Sequence, residues 1–172
     1  MKKLYITFLA IVLALAMIVP VGVVNAGSGQ VEVEGDIKFE WNFYISIDKV
    51  VGNTGITMGE MGHDVTYTGD IDGDAEELLS FVMNPSTGEF PNFKVNSKGT
   101  QVFTGTVQGK EGTFTAHVRH QMRLDGSGKV EQTIVSGTGE LANLHGTLVF
   151  MIYRQVDGSY AGEYSGKLHL AP

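Results

Sequence analysis

The chain has 172 residues, with 12 basic against 19 acidic side chains and a formal net charge of −7. This excess of acids argues against nucleic acid or an anionic membrane surface as a partner. No cysteine is present, so a disulfide framework is excluded. Glycine is abundant (23 residues) and proline scarce (4), and the glycines separate alternating segments. That spacing is typical of a meander of antiparallel strands.

Residues 1–26 have the pattern of a secretory signal peptide. Two lysines precede an uncharged apolar run at residues 4–19, and a small-residue cleavage site ends at Ala26. Residues 4–24 are also just long enough for an uncleaved membrane anchor, but the proline and glycine that follow the apolar run favour cleavage. We expect one domain at residues 27–172 that is secreted, periplasmic or on the cell surface, and makes no membrane contact after cleavage.

Alternation of apolar and polar residues predicts about eight strands. In chain order they cover residues 37–47, 65–71, 75–84, 101–108, 113–124, 129–135, 147–153 and 160–170. Residues 52–62 are predicted to be structureless, residues 109–112 to form a tight hairpin turn, and residues 84–88 another turn. The fold class is therefore all-β, an antiparallel barrel or sandwich. A closed barrel is favoured because few prolines or inward lysines protect strand edges.

The strand at residues 113–124 places His120 among apolar residues on its buried face. A buried histidine is either a core residue held by hydrogen bonds or a catalytic acid or base. Both interpretations of His120 stay open at this point. Glu77 has the same parity as Leu79 and Phe81, which makes it a plausible partner carboxylate. His117 lies three residues from His120 and faces the other way, so the two cannot share a zinc ion.

Inside a small barrel, alternate side chains fill the lumen and can surround one small ligand. The residues predicted to line such a ligand site are Trp41, Phe43, Tyr67, Phe81, Phe114, Met122, Gln132 and Tyr164. The alternative is a packed core with no vacancy, because aromatic rings also simply fill space.

The acids at residues 70–76 do not match a calcium loop, because its sixth and twelfth positions hold Ala75 and Phe81. A solvated turn is the better interpretation of these acids. Glu140, in the glycine-rich segment, is predicted to cap a short turn at residues 140–144. We expect neither a metal site nor a cofactor.

Three blocks of sequence resemble one family. They are FTGTVQGKEGTF at residues 103–114, VSGTGELANLHG at residues 135–146 and YTGDIDG at residues 67–73. They are similar to the hairpin, glycine-rich loop and strand end of an uncharacterised prokaryotic family of unknown function in the allene oxide cyclase barrel-like group. Relatives of that group include allene oxide cyclases and dirigent proteins. The resemblance covers about residues 30–170.

This resemblance implies an eight-stranded antiparallel up-and-down barrel, allene oxide cyclase-like, that holds a reactive hydrophobic molecule without a cofactor. It also implies dimers or trimers formed through the outer barrel faces, for which the apolar run at residues 148–153 is suitable. The histidine of the family is replaced by Val118 here, and His120 lies two residues further along the same face. No catalytic role is therefore transferred from the relatives, and His120 remains a candidate on its own pattern.

Three functions follow as hypotheses. The first is an exported barrel that binds a small apolar molecule in its lumen without chemistry. The second is a cofactor-free isomerase or cyclase for a hydrophobic substrate, in which His120 or a tyrosine moves a proton. The third is an interaction module with a filled lumen.

Overall fold

The computed structural model describes residues 29–84, 94–123 and 125–170, without the side chains of residues 41–45. Eight strands run in chain order: β1 Gln30–Val51, β2 Ile56–Gly69, β3 Ile71–Asn84, β4 Lys94–Val107, β5 Lys110–Met122, β6 Ser127–Gly139, β7 His145–Arg154 and β8 Tyr160–His169. A single 3-10 turn, Gly52–Thr54, lies between β1 and β2.

Each strand pairs antiparallel with the next, and β8 pairs with β1, so the sheet closes into a barrel. The predicted all-β, eight-stranded up-and-down barrel is confirmed. Consecutive hairpins alternate between its two ends. We call the end with the turns near residues 70, 108 and 142 the lower end, and the opposite end the upper end.

Two predicted local features were wrong. The segment at residues 52–62 is mostly strand, because β2 begins at Ile56 and its inward positions include Thr57 and Gly59, which hid the alternation. The tight hairpin turn comprises Gln108 and Gly109 rather than residues 109–112, and Val107 pairs with Lys110. Both turn residues have positive φ, 51° and 76°, as a two-residue type I′ hairpin requires. The turn predicted at residues 84–88 lies outside the described residues beyond Asn84.

The lower half of the lumen is a packed aromatic core. The Phe103 and Phe114 rings stack with their centroids 4.5 Å apart, and the Tyr67 ring contacts Phe103 edge-on at 5.5 Å. All three side chains are at most 1 % exposed. Such close packing, rather than a vacancy, is the normal state of a protein interior.

The turn between β6 and β7 closes the lower end. Leu141 and Leu144 point inward from it and are buried. The chain approaches so closely here that a Cβ atom on Gly137 would lie 1.9 Å from the Leu141 carbonyl oxygen. This explains why the segment is rich in glycine. The side chain of Glu140, which was predicted to cap this turn, makes its hydrogen bond outside the turn. Its Oε2 accepts the Glu111 N–H at 3.0 Å and joins the turn to β5.

Tyr164 of β8 ties the β2–β3 turn to the far side of the barrel. Its hydroxyl accepts the N–H of Ile71 at 2.8 Å and donates to the Ile71 carbonyl at 3.2 Å. Burial raises the pKa of Tyr164, the hydrogen bond with the Ile71 backbone lowers it, and the charges of Asp70, Asp36 and Asp72 add to the rise, which brings the pKa to about 12. The hydroxyl therefore stays protonated at neutral pH and serves as a structural donor and acceptor.

The outer wall carries open grooves. One of about 600 Å³ crosses β1 to β5, and the inward-facing Phe81 and Ser97 are among its lining residues. Another of about 470 Å³ lies over β1, β7 and β8. His120, Glu77 and Tyr67 line neither of them. Within the described ranges, the chain contains no helix long and apolar enough to cross a membrane.

Candidate functional site

A row of polar side chains crosses the middle of the lumen. His63 on β2 lies directly opposite Glu77 on β3, and Glu77 lies directly opposite Gln101 on β4. All three are buried. His63 Nδ1 is 3.0 Å from Glu77 Oε1, and Gln101 Nε2 donates to Glu77 Oε2 at 3.3 Å. The register of three neighbouring strands therefore assembles a hydrogen-bonded carboxylate in an otherwise apolar interior.

His120 completes this cluster from β5. Its Nε2 lies 3.1 Å from each of the two carboxylate oxygens of Glu77. The His63 and His120 rings are close to parallel, with an interplanar angle of 24° and centroids 6.0 Å apart. Phe39 packs edge-on against both rings, at 6.3 Å and 5.6 Å. We call His63, Glu77 and His120 the charged cluster. It holds one carboxylate between two imidazoles, shielded by an aromatic ring.

The charged cluster keeps Glu77 ionised. Burial alone raises the pKa of this carboxyl, because a charge is costly away from water. The charge and hydrogen bond of His120, followed by those of His63, outweigh burial and lower the pKa of Glu77 from 4.5 to about 2. Because an ionised carboxylate only accepts hydrogen bonds, it requires a proton on His120 Nε2. His120 Nδ1 is then the atom that can exchange a proton with a ligand.

A second set of hydrogen bonds extends from Glu77 towards the lower core. The Tyr67 hydroxyl donates to Gln101 Oε1 at 2.5 Å and contacts Gln132 Oε1 at 3.1 Å. Gln132 Nε2 donates to Gln101 Oε1 at 2.7 Å. Burial, followed by the charge of Glu77, raises the pKa of Tyr67. Tyr67 therefore holds its proton at neutral pH, and its hydrogen bond orients the Gln101 amide, whose Nε2 donates to Glu77.

Above the charged cluster, the lumen is lined by apolar side chains. The upper cluster consists of Met61, Leu79, Phe81 and Val118, with Met83 and Val95 packed against it. Ser97 faces the same space and is 4 % exposed. Its Oγ has no hydrogen-bond partner within residues 29–84, 94–123 and 125–170. The side chains that line the upper half are therefore more adaptable than those of the lower half, and the polar atoms there are less completely hydrogen-bonded.

The residues predicted to line a ligand site lie in different parts of the lumen. Tyr67, Phe114 and Tyr164 belong to the packed lower half, Gln132 joins the polar network, and Phe81 belongs to the upper cluster. Met122 is partly buried and packs against the core. The side chains of Trp41 and Phe43 lie outside the described residues. On β1, the backbone position of Trp41 is directly opposite His63.

The structure brings His120 and Glu77 together, and it adds two residues that the sequence pattern did not single out. His63 follows Met61 and precedes Val65 and Tyr67 on one face of β2. Gln101 shares its face with Phe103 on β4. Both could have been noticed as polar residues within apolar alternation. His117 is exposed, on the opposite face of β5 from His120.

No three metal-ligating side chains in the described part of the chain are arranged to hold a metal ion. His63 and His120 direct a ring nitrogen at the carboxylate of Glu77 rather than at a shared empty point. Of the acids at residues 70–76, Asp70 accepts the Glu34 N–H at 2.9 Å and Asp74 accepts the Thr66 hydroxyl at 3.1 Å. These contacts join neighbouring strands.

Comparison with known proteins gives a family but no activity. The chain is similar to a crystal structure from Shewanella oneidensis MR-1, described as a protein of unknown function from the DUF3224 family, with a TM-score of 0.60 and 21% identity. The match covers 83% of this chain and 99% of that one, and shows a shared fold. No curated protein matches the chain. The model of the family "Protein of unknown function (DUF3224)" matches residues 44–164. The chain therefore belongs to the DUF3224 family.

Proposed function

We propose that the barrel binds a small, mainly apolar molecule in the upper half of its lumen, against the charged cluster. The observation that carries the proposal is the ionised Glu77, buried between His63 and His120 beneath apolar side chains. A buried carboxylate held by two histidines is a weak source of stability, because apolar residues of similar size stabilise a core at least as well. Strongly perturbed titratable groups are frequent at functional sites.

Space for the ligand comes from adaptable side chains. Met61 belongs to the upper cluster and Met83 packs against it, and methionine changes shape at low cost. The aromatic lower core, by contrast, is closed by Leu141 and Leu144 and acts as a rigid floor. Binding at the upper end thus leaves most of the packing undisturbed.

The test uses Prodan, a neutral dye whose emission shifts to the blue in apolar surroundings. We expect saturable one-to-one binding, accompanied by a change in the emission of Trp41, which is the single tryptophan of the chain. Val118→Trp fills the upper lumen and is expected to weaken binding at least tenfold. His117→Trp is the matched control, because it places the same ring on the outer face of the same strand. Equal binding by both variants would contradict the lumen as the site.

The pairing of Glu77 with His120 favours a second candidate function, cofactor-free isomerisation by proton transfer. Neutral His120 would accept a proton from an acidic C–H group at Nδ1 and return it at another position, while Glu77 balances the charge of the imidazolium. Kinship with allene oxide cyclases, which the sequence motifs suggest, is part of this second proposal.

Proton transfer is tested by exchange of the α-protons of Prodan for deuterium, followed by NMR in D2O. We expect faster exchange with the wild-type protein and none above background with His120→Gln. Binding that is unaffected by His120→Gln, without catalysed exchange in either protein, would favour a carrier over a catalyst.

We also propose that the chain is exported after cleavage at Ala26. Amino-terminal sequencing of the protein from its native cell envelope or medium tests this. A mature chain that begins at Gly27 supports export, whereas an intact amino terminus in the cytoplasmic fraction contradicts it.

A further inference from the structure

Ser97 is a buried polar residue of the upper lumen. It lies on the inward face of β4 and is 4 % exposed, and its hydroxyl has no hydrogen-bond partner in the part of the chain that the structure describes. Buried hydroxyls are nearly always hydrogen-bonded, because an unpaired one loses its interactions with water and gains none in return. An alanine would pack at this position without that cost.

The neighbours of Ser97 join it to the charged cluster. Across β4–β5, Ser97 is directly opposite His120, and across β3–β4 it is directly opposite Phe81. Directly opposed residues in an antiparallel pair have Cβ atoms roughly 4.5–5.5 Å apart. His120 uses Nε2 to contact Glu77, so its Nδ1 is the remaining ring nitrogen. The hydroxyl and this nitrogen therefore form one polar spot among the apolar side chains of the upper cluster.

We propose that the Ser97 hydroxyl, beside His120, forms a subsite for the carbonyl oxygen of an uncharged, otherwise apolar ligand. The inference rests on the proposed lumen binding, and it names the chemical class of the ligand as a ketone, aldehyde or related carbonyl compound. A carbonyl oxygen accepts the Ser97 O–H, the buried side-chain donor that lacks a partner among the described residues. A carboxylate is disfavoured, because the ionised Glu77 lies beside His120 and repels a second buried negative charge.

The test compares two ligands of nearly equal shape, 2-acetylnaphthalene and 2-isopropenylnaphthalene, which differ by C=O against C=CH2. Their affinities are measured by displacement of Prodan from the full-length protein. We expect the wild-type protein to prefer the ketone about tenfold, the effect of one buried hydrogen bond that the alkene cannot make. Ser97→Ala is expected to bring the ratio close to one by weakening the ketone alone.

Ser80→Ala is the matched control, since Ser80 is exposed on the neighbouring strand β3 and should leave the ratio unchanged. A ketone preference that persists in Ser97→Ala would overturn the subsite. Equal binding of the two compounds by the wild-type protein would overturn the subsite while leaving lumen binding intact. Failure of both compounds and of Prodan to bind would overturn the proposed lumen function, and the subsite with it.

A second measurement does not depend on any ligand. If the hydroxyl lacks a partner in the free protein, Ser97→Ala should raise the midpoint of thermal unfolding by about 2–4 °C. A lower midpoint would show that the hydroxyl is already hydrogen-bonded in the free protein, and it would overturn the inference. Ser80→Ala again provides the reference for a serine that is in contact with water.

Discussion

Replacement of Glu77 by glutamine preserves the side-chain volume at the centre of the barrel and removes its charge. In the folded protein the pKa of Glu77 is about 2, against an ordinary value of 4.5. At roughly 1.4 kcal/mol for each pKa unit, that difference amounts to about 3 kcal/mol of stability from the ionised form at neutral pH. We expect Glu77→Gln to lower the free energy of unfolding by about this amount at pH 7.

The sign of the pH dependence follows from the lowered pKa. Because the carboxyl binds its proton less readily in the folded chain than in the unfolded chain, its contribution is complete above about pH 4.5. The contribution is lost as the pH falls towards 2. The difference in stability between the wild-type protein and Glu77→Gln should therefore shrink to less than half of its neutral value at about pH 3.

The assay is urea denaturation of both proteins, followed by circular dichroism, at pH 7, 5, 4 and 3. Glu76→Gln is the control, because Glu76 is the adjacent residue on β3 and faces solvent. We expect it to change stability by no more than about 0.5 kcal/mol. A Glu77→Gln loss that stays constant from pH 7 to pH 3, or one below about 1 kcal/mol at pH 7, would refute the reasoning.

Three further predictions concern the rest of the barrel. Tyr164→Phe removes the acceptor of the Ile71 N–H and should cost about 1–3 kcal/mol in urea denaturation; an unchanged midpoint would contradict this anchoring role. Phe103→Ala removes a ring stacked on Phe114 and should cost about 3–5 kcal/mol; a loss below about 1 kcal/mol would be inconsistent with a packed lower core. If barrels associate through β7, Met151→Lys, at an exposed outer position, should convert the oligomer into monomers in sedimentation velocity. A wild-type monomer would refute that association.

Much of the architecture was predictable, because the alternation of inward and outward side chains along each strand involves only residues that are close together in the sequence. His120 and Glu77 were assigned to inward faces from their parity with apolar neighbours, and the structure buries both. The same rule failed at residues 52–62. There, Thr57 and Gly59 stand at inward positions in place of the apolar residues that would have revealed β2. Glycine carries no hydrophobic signal, yet it is required where Ser46 approaches Gly59 across β1–β2.

By itself, the sequence determined which side chains face inward, since that depends only on alternation within each strand. The register between strands depends on contacts among residues far apart in the chain, and only the tertiary structure decided it. Register places His63, Glu77 and Gln101 in one row, and closure of the sheet brings Gln132 across the lumen to Tyr67. Alternation is a property of neighbouring residues, whereas hydrogen-bonded clusters arise only when a closed barrel sets the distances between strands.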